Sequence, residues 1–182
     1  MTDPLLQPTL RDDIVSLRPL TAADWQPLFA VASDPLLWSQ HPAQDRWQEP
    51  VFRLFFEQGL ASGGALIAAD SATGQIIGTS RYDRARAGPG EVEIGWTMLA
   101  RERWGGPTNA AMKRLMLGHA LQTFERVIFL VGEDNLRSRR ALDKIGARLT
   151  DRTDRVEVAG RPVCYVVYAI DRPGFESGPL SL

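Results

Sequence analysis

The spacing of apolar residues along this 182-residue chain changes period several times, and each change marks an element. Residues 14–19 alternate apolar and polar, which predicts a first strand. Thr21-Ala-Ala-Asp24 pairs a capping residue with an acid three positions on. Trp25, Leu28, Phe29 and Ala32 follow at helical spacing. Asp34-Pro35 interrupts this helix. A second helix is predicted over about 48–61, from Val51, Leu54, Phe55 and Gln58, and Gly63-Gly64 stops it. The period then falls to two. Residues 65–70 and 75–82 read as a hairpin around Ser71-Ala-Thr-Gly74, and 91–99 as a further strand. In that strand Val92, Ile94, Trp96 and Met98 share one face, and Glu91, Glu93, Gly95 and Thr97 take the other. Met112, Leu115, Met116, Ala120 and Phe124 mark a long helix. Val127–Val131 is the short apolar run of a strand buried on both faces. Asn135 opens a helix carrying Ser138, Ala141, Leu142 and Ile145, with Gly146 at a left-handed C-cap position. Two late strands, about 148–158 and 162–170, join at Ala159-Gly160. Pro173, Gly174, Gly178 and Pro179 suggest a loose tail over 172–182.

Seven strands and their helices, in this order, predict an α/β protein with a mixed sheet. The unit 91–131 is a parallel crossover, the hairpins are antiparallel, and helices lie on both faces. No repeat or linker divides residues 1–182, so one domain is expected, with its core over about 12–171.

Composition narrows the choices. With 44% apolar and 24% charged residues the chain can build a core, which excludes global disorder. Cys164 is the one cysteine, and His41 and His119 stand 78 positions apart, so no disulfide, Cys-based metal site or His-rich metal site is expected. The N-terminus lacks the regions of a signal peptide, and no apolar run suits a membrane helix, so a cytoplasmic protein without membrane attachment is expected. The formal net charge of −1 hides a division. Residues 101–155 hold twelve basic and seven acidic groups, a local charge of +5, while the rest of the chain carries −6. A basic third in a neutral protein suits a small polyanion.

A structural account of that third exists in Ala100-Arg-Glu-Arg-Trp-Gly-Gly-Pro-Thr-Asn109. Here a strand ends, a glycine turn follows and a helix begins. Unsatisfied N–H groups and the dipole at a helix start favour phosphate, and Gly105 and Gly106 allow a ligand to approach the backbone. The plainer reading is a turn into a helix. No Gly-Lys-Ser/Thr follows and Gly-x-Gly-x-x-Gly is absent, which excludes a nucleoside-triphosphate loop and leaves a dinucleotide fingerprint unsupported. Together with Asn135-x-x-Ser138, Lys144-Ile-Gly146, Ile94-Gly-Trp-Thr-Met-Leu99 and Trp104-Gly-Gly, the segment resembles the Gcn5-related N-acetyltransferases. The resemblance is to their RimJ/RimL-like branch, which acetylates protein N-termini, and covers about residues 12–170.

The resemblance implies a mostly antiparallel sheet whose fourth and fifth strands splay to take the pantetheine arm of acetyl-CoA. It offers the backbone of Thr97, Met98 and Leu99 to the thioester and pantetheine. The N–H groups of Gly105, Gly106, Thr108 and Asn109 go to the pyrophosphate, beside Arg103 and Trp104. Asn135 reaches the pantetheine and Ser138 the thiol end. Arg101, Arg137, Arg139 and Arg140 are further phosphate candidates. Two departures stand out. Glu102 and Pro107 replace the first and last residues of the family's Gln/Arg-x-x-Gly-x-Gly/Ala pattern. Leu142 stands where many members carry a tyrosine that protonates the leaving thiolate. A homodimer stays open.

Acetyl transfer to an amine needs a group to take a proton. Glu91 and Glu93, at i and i+2 on a strand bordering the cleft, repel each other and raise a pKa, with Glu93 the nearer to the splay. The resemblance further implies that an amide of Thr97 or Met98, freed by a bulge, would face the oxyanion. Acceptor contacts are expected from Trp38 and Trp47, in the segment 34–50 that also holds His41 and Glu49, and from Arg81, Tyr82, Asp83 and Tyr165. His119 and Cys164 read as structural. The leading function is transfer of acetyl from acetyl-CoA to a primary amine, on a protein N-terminus or a small molecule. A non-catalytic acyl-CoA-binding or regulatory module is the alternative, and a nucleic-acid-binding domain lacks interleaved aromatic and basic residues.

Overall fold

Each alternating segment forms a strand, and one short strand precedes them. The computed structural model describes residues 5–158 and 160–181, so the first four residues, Ala159 of the expected Ala159-Gly160 joint and Leu182 lie outside the described residues. The strands are β1 (Leu10–Arg11), β2 (Val15–Pro19), β3 (Ala65–Asp70), β4 (Ile76–Asp83), β5 (Glu91–Leu99), β6 (Arg126–Gly132), β7 (Arg148–Val158) and β8 (Arg161–Asp171). They make one sheet in the order β1-β2-β3-β4-β5-β6-β8-β7. Among the described residues only β5 and β6 pair in parallel, so the mixed, mostly antiparallel sheet expected from the sequence is present there with eight strands. The two residues of β1 are too few for alternation to reveal.

Helices α1 (Trp25–Ala32) and α2 (Glu49–Ser62) cover one face, and α3 (Thr108–Ala120) and α4 (Leu136–Lys144) cover the other. Strand β3 shows why two layers form. Leu66 and Ala68 enter the core under α3, while Ala65 and Ile67 enter the core under α1 and α2. The entry to α1 is a single 3₁₀ turn, Ala22–Asp24, whose buried Asp24 is held by Arg18 at 2.5 Å. Asn135 caps α4 by accepting the Ser138 N–H at 3.2 Å, and Gly146 takes φ +84° after it.

Two expectations are corrected. The tail is docked: Arg172–Glu176 forms the short helix α5, Leu180 is buried in the α3-side core, and Phe175 packs on it. Its glycines and prolines make turns between these anchors. The single apolar face of β5 is also interrupted. Thr79 pairs with Met98 but Arg81 pairs with Gly95, so β5 carries one residue more than β4 and bulges at Trp96–Thr97. Trp96 takes φ +51°, the one positive φ of a non-glycine among the described residues. Val92 and Ile94 therefore face α3, whereas Met98 joins the α1–α2 core and Trp96 packs against it.

Candidate active site

The bulge lies beside an opening in the sheet. Strands β5 and β6 pair only at Glu91–Arg126, Val92–Val127 and Glu93–Ile128. Beyond that point β5 follows β4 and β6 follows β8, and a cavity of about 780 Å³ fills the gap. Residues 94–99 line one side and 129–132 the other.

One mouth of this cavity is basic and glycine-rich. Arg103, Trp104, Gly105, Gly106, Asn109, Asn135 and Ser138 line it, as do Thr97, Met98 and Leu99. Of the sequence candidates for this half, Thr108, Arg101 and Arg139 do not line the cavity, and Thr108 is buried at the start of α3. The N–H of Ala111 bonds to the Pro107 carbonyl at 2.9 Å, so the amides of Thr108, Asn109 and Ala110 precede the first helical hydrogen bond. Gly105 has φ +73° with open space where a Cβ would stand, so the loop turns without obstructing a ligand. Pro107 occupies the helix cap, and Glu102 is exposed on the preceding turn. The arginines divide. Arg101 is bonded to Asp34, Arg103 to Asp70 at 2.9 Å, and Arg139 to the Glu133 carbonyl and the Tyr168 hydroxyl. Arg137 and Arg140 line the cavity, Arg137 with its guanidinium 4.0 Å from the Trp104 ring centroid.

The two glutamates part company. Glu91 accepts two 2.9 Å hydrogen bonds from Arg152 and one of 3.0 Å from the Gly88 N–H, with Arg126 at 3.5 Å. Burial alone would raise its pKa, but these donors and the two arginine charges hold it below the ordinary value. It lies at the closed end of the β5–β6 pair and serves as an ionic tie. Glu93 is fully buried and takes hydrogen bonds of 2.6 and 3.1 Å from Arg86. Burial dominates there and raises its pKa, opposed by Arg86 and Arg81. The mutual repulsion expected of the two glutamates is therefore not what sets either pKa, and both are engaged by arginines.

Glu93 does not line the cavity; it lies buried behind Gly95, which does line it and carries no side chain. A Cβ on Gly95 would stand 2.8 Å from Glu93 Oε1. Gly95→Ala should therefore displace the carboxylate and destabilise the fold by about 1–3 kcal/mol, read from denaturant midpoints. An unchanged midpoint would show that the carboxylate yields freely.

The acceptor candidates also separate. Trp38 is buried, donates its indole N–H to the Ala32 carbonyl at 2.7 Å, and still edges the cavity. Tyr165 lines it from β8. Trp47 is exposed and off the cavity. Tyr82 is core: its hydroxyl bonds to the Met116 carbonyl at 2.7 Å on the α3 face, and burial raises its pKa. Asp83 caps the turn at Ala85. Arg81 is buried behind the bulge, 4.4 Å from the Trp96 ring centroid, and its Nε is the one buried side-chain polar atom without a partner among the described residues. His119 faces the Leu5 carbonyl, and Cys164 is half-buried in β8.

Sequence reasoning missed two cavity residues. Lys113 is buried on α3 and donates to Thr97 Oγ1 at 2.7 Å, and that hydroxyl also meets Ser80 Oγ at 2.8 Å. Among the described residues no carboxylate pairs with it, and burial lowers its pKa to about 7. Its signal was present: a lysine in register with Met116, Leu117 and Ala120 interrupts an apolar stripe. Arg46 enters from the loop before α2, with its guanidinium 4.8 Å from the Phe55 centroid. Nothing local distinguishes it from a solvated charge.

Comparison with known proteins follows this geometry. The family model for the acetyltransferase (GNAT) domain matches residues 15–148. A GCN5-related N-acetyltransferase from Brucella melitensis superposes with a TM-score of 0.81 at 19% identity, over 94% of this chain and 81% of that one. Mycobacterium smegmatis RimJ, solved with CoA-disulfide, gives 0.71 at 18% identity, over 94% and 90% of the two chains. An acetyltransferase from Agrobacterium tumefaciens gives 0.70 at 24% identity, over 91% and 95%. A search among curated proteins finds no match.

Proposed function

Because the chain belongs to the GNAT acetyltransferase family, we propose that it transfers acetyl directly from acetyl-CoA to a primary amine, on a small molecule or a protein N-terminus. The observation that carries this reading is the gap between β5 and β6, with helix-start amides at one mouth and a buried carboxylate behind Gly95 further in. The likeness of the fold to RimJ supports a place in the RimJ/RimL-like branch.

Acetyl-CoA, when bound, supplies an activated acyl carbon with a thiolate leaving group. The first-turn amides of α3, with Gly105 and Gly106, hold the pyrophosphate, and Arg137 and Arg140 neutralise phosphate charge at the cavity edge. The side chain of Asn135 is committed to capping α4, so its Nδ2 remains for the pantetheine. The amide that the bulge removes from the ladder at Thr97 faces the acyl oxygen, where negative charge develops. Glu93 takes the ammonium proton through a water at Gly95 and leaves a neutral nitrogen to attack. A C–N bond forms, the C–S bond breaks, Lys113 gives a proton to the departing sulfur, and the nitrogen, which carries one proton too many after attack, releases it to water to leave the neutral amide. Leu142 lines the same cavity, and its apolar side chain leaves this task to Lys113.

The reading is tested by calorimetric titration with acetyl-CoA beside CoA thiol release with a panel of amines. The expected result is saturable binding and amine-dependent release. Tight binding with no release for any amine would favour the non-catalytic module.

A further inference from the structure

The loop before α2 brings two hydrogen-bond donors together with nothing between them. His41 Nδ1 accepts the Ala43 N–H at 2.9 Å, so in the neutral ring the proton sits on Nε2. Burial and the Arg46 charge lower the His41 pKa to about 3, so the ring stays neutral. Arg46 Nη1 lies 3.4 Å from that Nε2. Both atoms carry hydrogens, and neither can accept from the other. The rest of the Arg46 guanidinium faces the rings of Trp38 and Phe55, at 5.3 and 4.8 Å from their centroids. Among the described residues no carboxylate lies within 4.0 Å of it.

In the wider surroundings Asp45 is the carboxylate whose charge acts on Arg46, from beyond 4.0 Å, and Arg81 and Arg137 add positive charge near the pair. Glu93 is occupied by Arg86, and Arg81 is buried with an unpartnered Nε. A cation against apolar walls, next to a second donor, is costly unless an anion completes it. A carboxylate does so, with one oxygen for each donor. Arg46 lies in range of Tyr165 on β8, which in turn lies in range of Glu93, so the Arg46 end of this subsite faces the side proposed for the acceptor's amine, while His41 lies in range of Arg137.

We propose that Arg46 and His41 form a carboxylate subsite, so that the acceptor is an amine that also bears a carboxylate. This deepens the transferase reading and rests on it for the word acceptor; the anion subsite itself does not.

The test compares leucine with leucinamide and 3-methylbutylamine, and a peptide beginning with glutamate with the same peptide beginning with glutamine. The second pair separates a side-chain carboxylate from a free α-carboxylate. Binding of N-acetyl-leucine and N-acetyl-leucinamide to the CoA-loaded protein is measured in parallel by calorimetry. We expect kcat/KM for at least one acid to exceed that of its uncharged partner by about ten- to a hundredfold, the worth of a charged hydrogen bond. N-acetyl-leucine or an acetylated glutamyl peptide should bind more tightly than its uncharged partner by a similar factor. In Arg46→Gln the preference should fall to near one through the acceptor KM, and His41→Phe should reduce it in part. Equal turnover and binding of acid and uncharged partners would overturn the subsite while leaving acetyl transfer intact. An Arg46→Gln effect confined to the KM of acetyl-CoA would also overturn it. Absence of transfer to any amine, with acid-selective binding retained, would overturn the transferase reading and leave the subsite standing.

Discussion

Glu93→Gln should lower kcat about a hundredfold or more at neutral pH, the range general-base catalysis supplies. Burial lifts the Glu93 pKa above its ordinary 4.5, so the carboxylate ionises later than an exposed one, and the rate should rise with pH through that raised value. Glutamine keeps an oxygen for Arg86 but cannot take a proton. The variant should lose the acidic limb of the profile and recover as the acceptor amine deprotonates unaided, near 8 for an α-amino group, roughly. CoA release measured between pH 5 and 10 checks this, with acetyl-CoA affinity as the control. A Gln variant that retains the wild-type pH–rate profile would remove Glu93 from the mechanism.

Lys113→Met should give a protein that is more stable and less active. The lysine pKa falls from 10.5 to about 7 on burial. Below pH 7 both folded and unfolded chains bind the proton, and the folded chain bears the full cost of a buried ammonium. Between 7 and 10.5 the unfolded chain binds more protons than the folded one, so stability rises with pH. Methionine has no such charge and fills similar space. Its variant should be more stable by a few kcal/mol at pH 6, with a flatter pH dependence up to pH 10.5, both read from urea midpoints. If the lysine protonates the sulfur, kcat falls by about ten- to a hundredfold; a thiolate with a pKa near 8.5, roughly, leaves without help more readily than an alkoxide. A purely structural lysine would leave kcat and its alkaline limb unchanged.

What the sequence made legible follows from the range of the forces involved. Strand and helix order is written in local periodicity, and the caps at Asn135 and Gly146 are local chemistry, so both were readable. The glycine-rich mouth of the cavity could be read because a strand end, two glycines and a helix start are contiguous. The fates of the glutamates were hidden. Glu91 is decided by Arg152, sixty-one positions away, and Glu93 by Arg86 across a turn. Tyr82 looked like an acceptor contact until its hydroxyl met a carbonyl thirty-four residues on. The β5 bulge was expected only through the family resemblance, because Val-Glu-Ile-Gly-Trp-Thr-Met itself reads as unbroken alternation and only the register against β4 exposes the extra residue.

That extra residue changes the parity of the strand. In an unbroken β5, Glu93 and Thr97 would project from the same side, and a lysine reaching Thr97 would stand in range of the carboxylate. Two such groups would discharge each other as an ion pair. With one residue inserted, Glu93 faces the α1–α2 layer and Thr97 faces α3 and Lys113. The sheet then works as a partition that keeps a buried carboxylate on one side apart from a buried amine on the other, which is the separation the proposed proton acceptor and donor require.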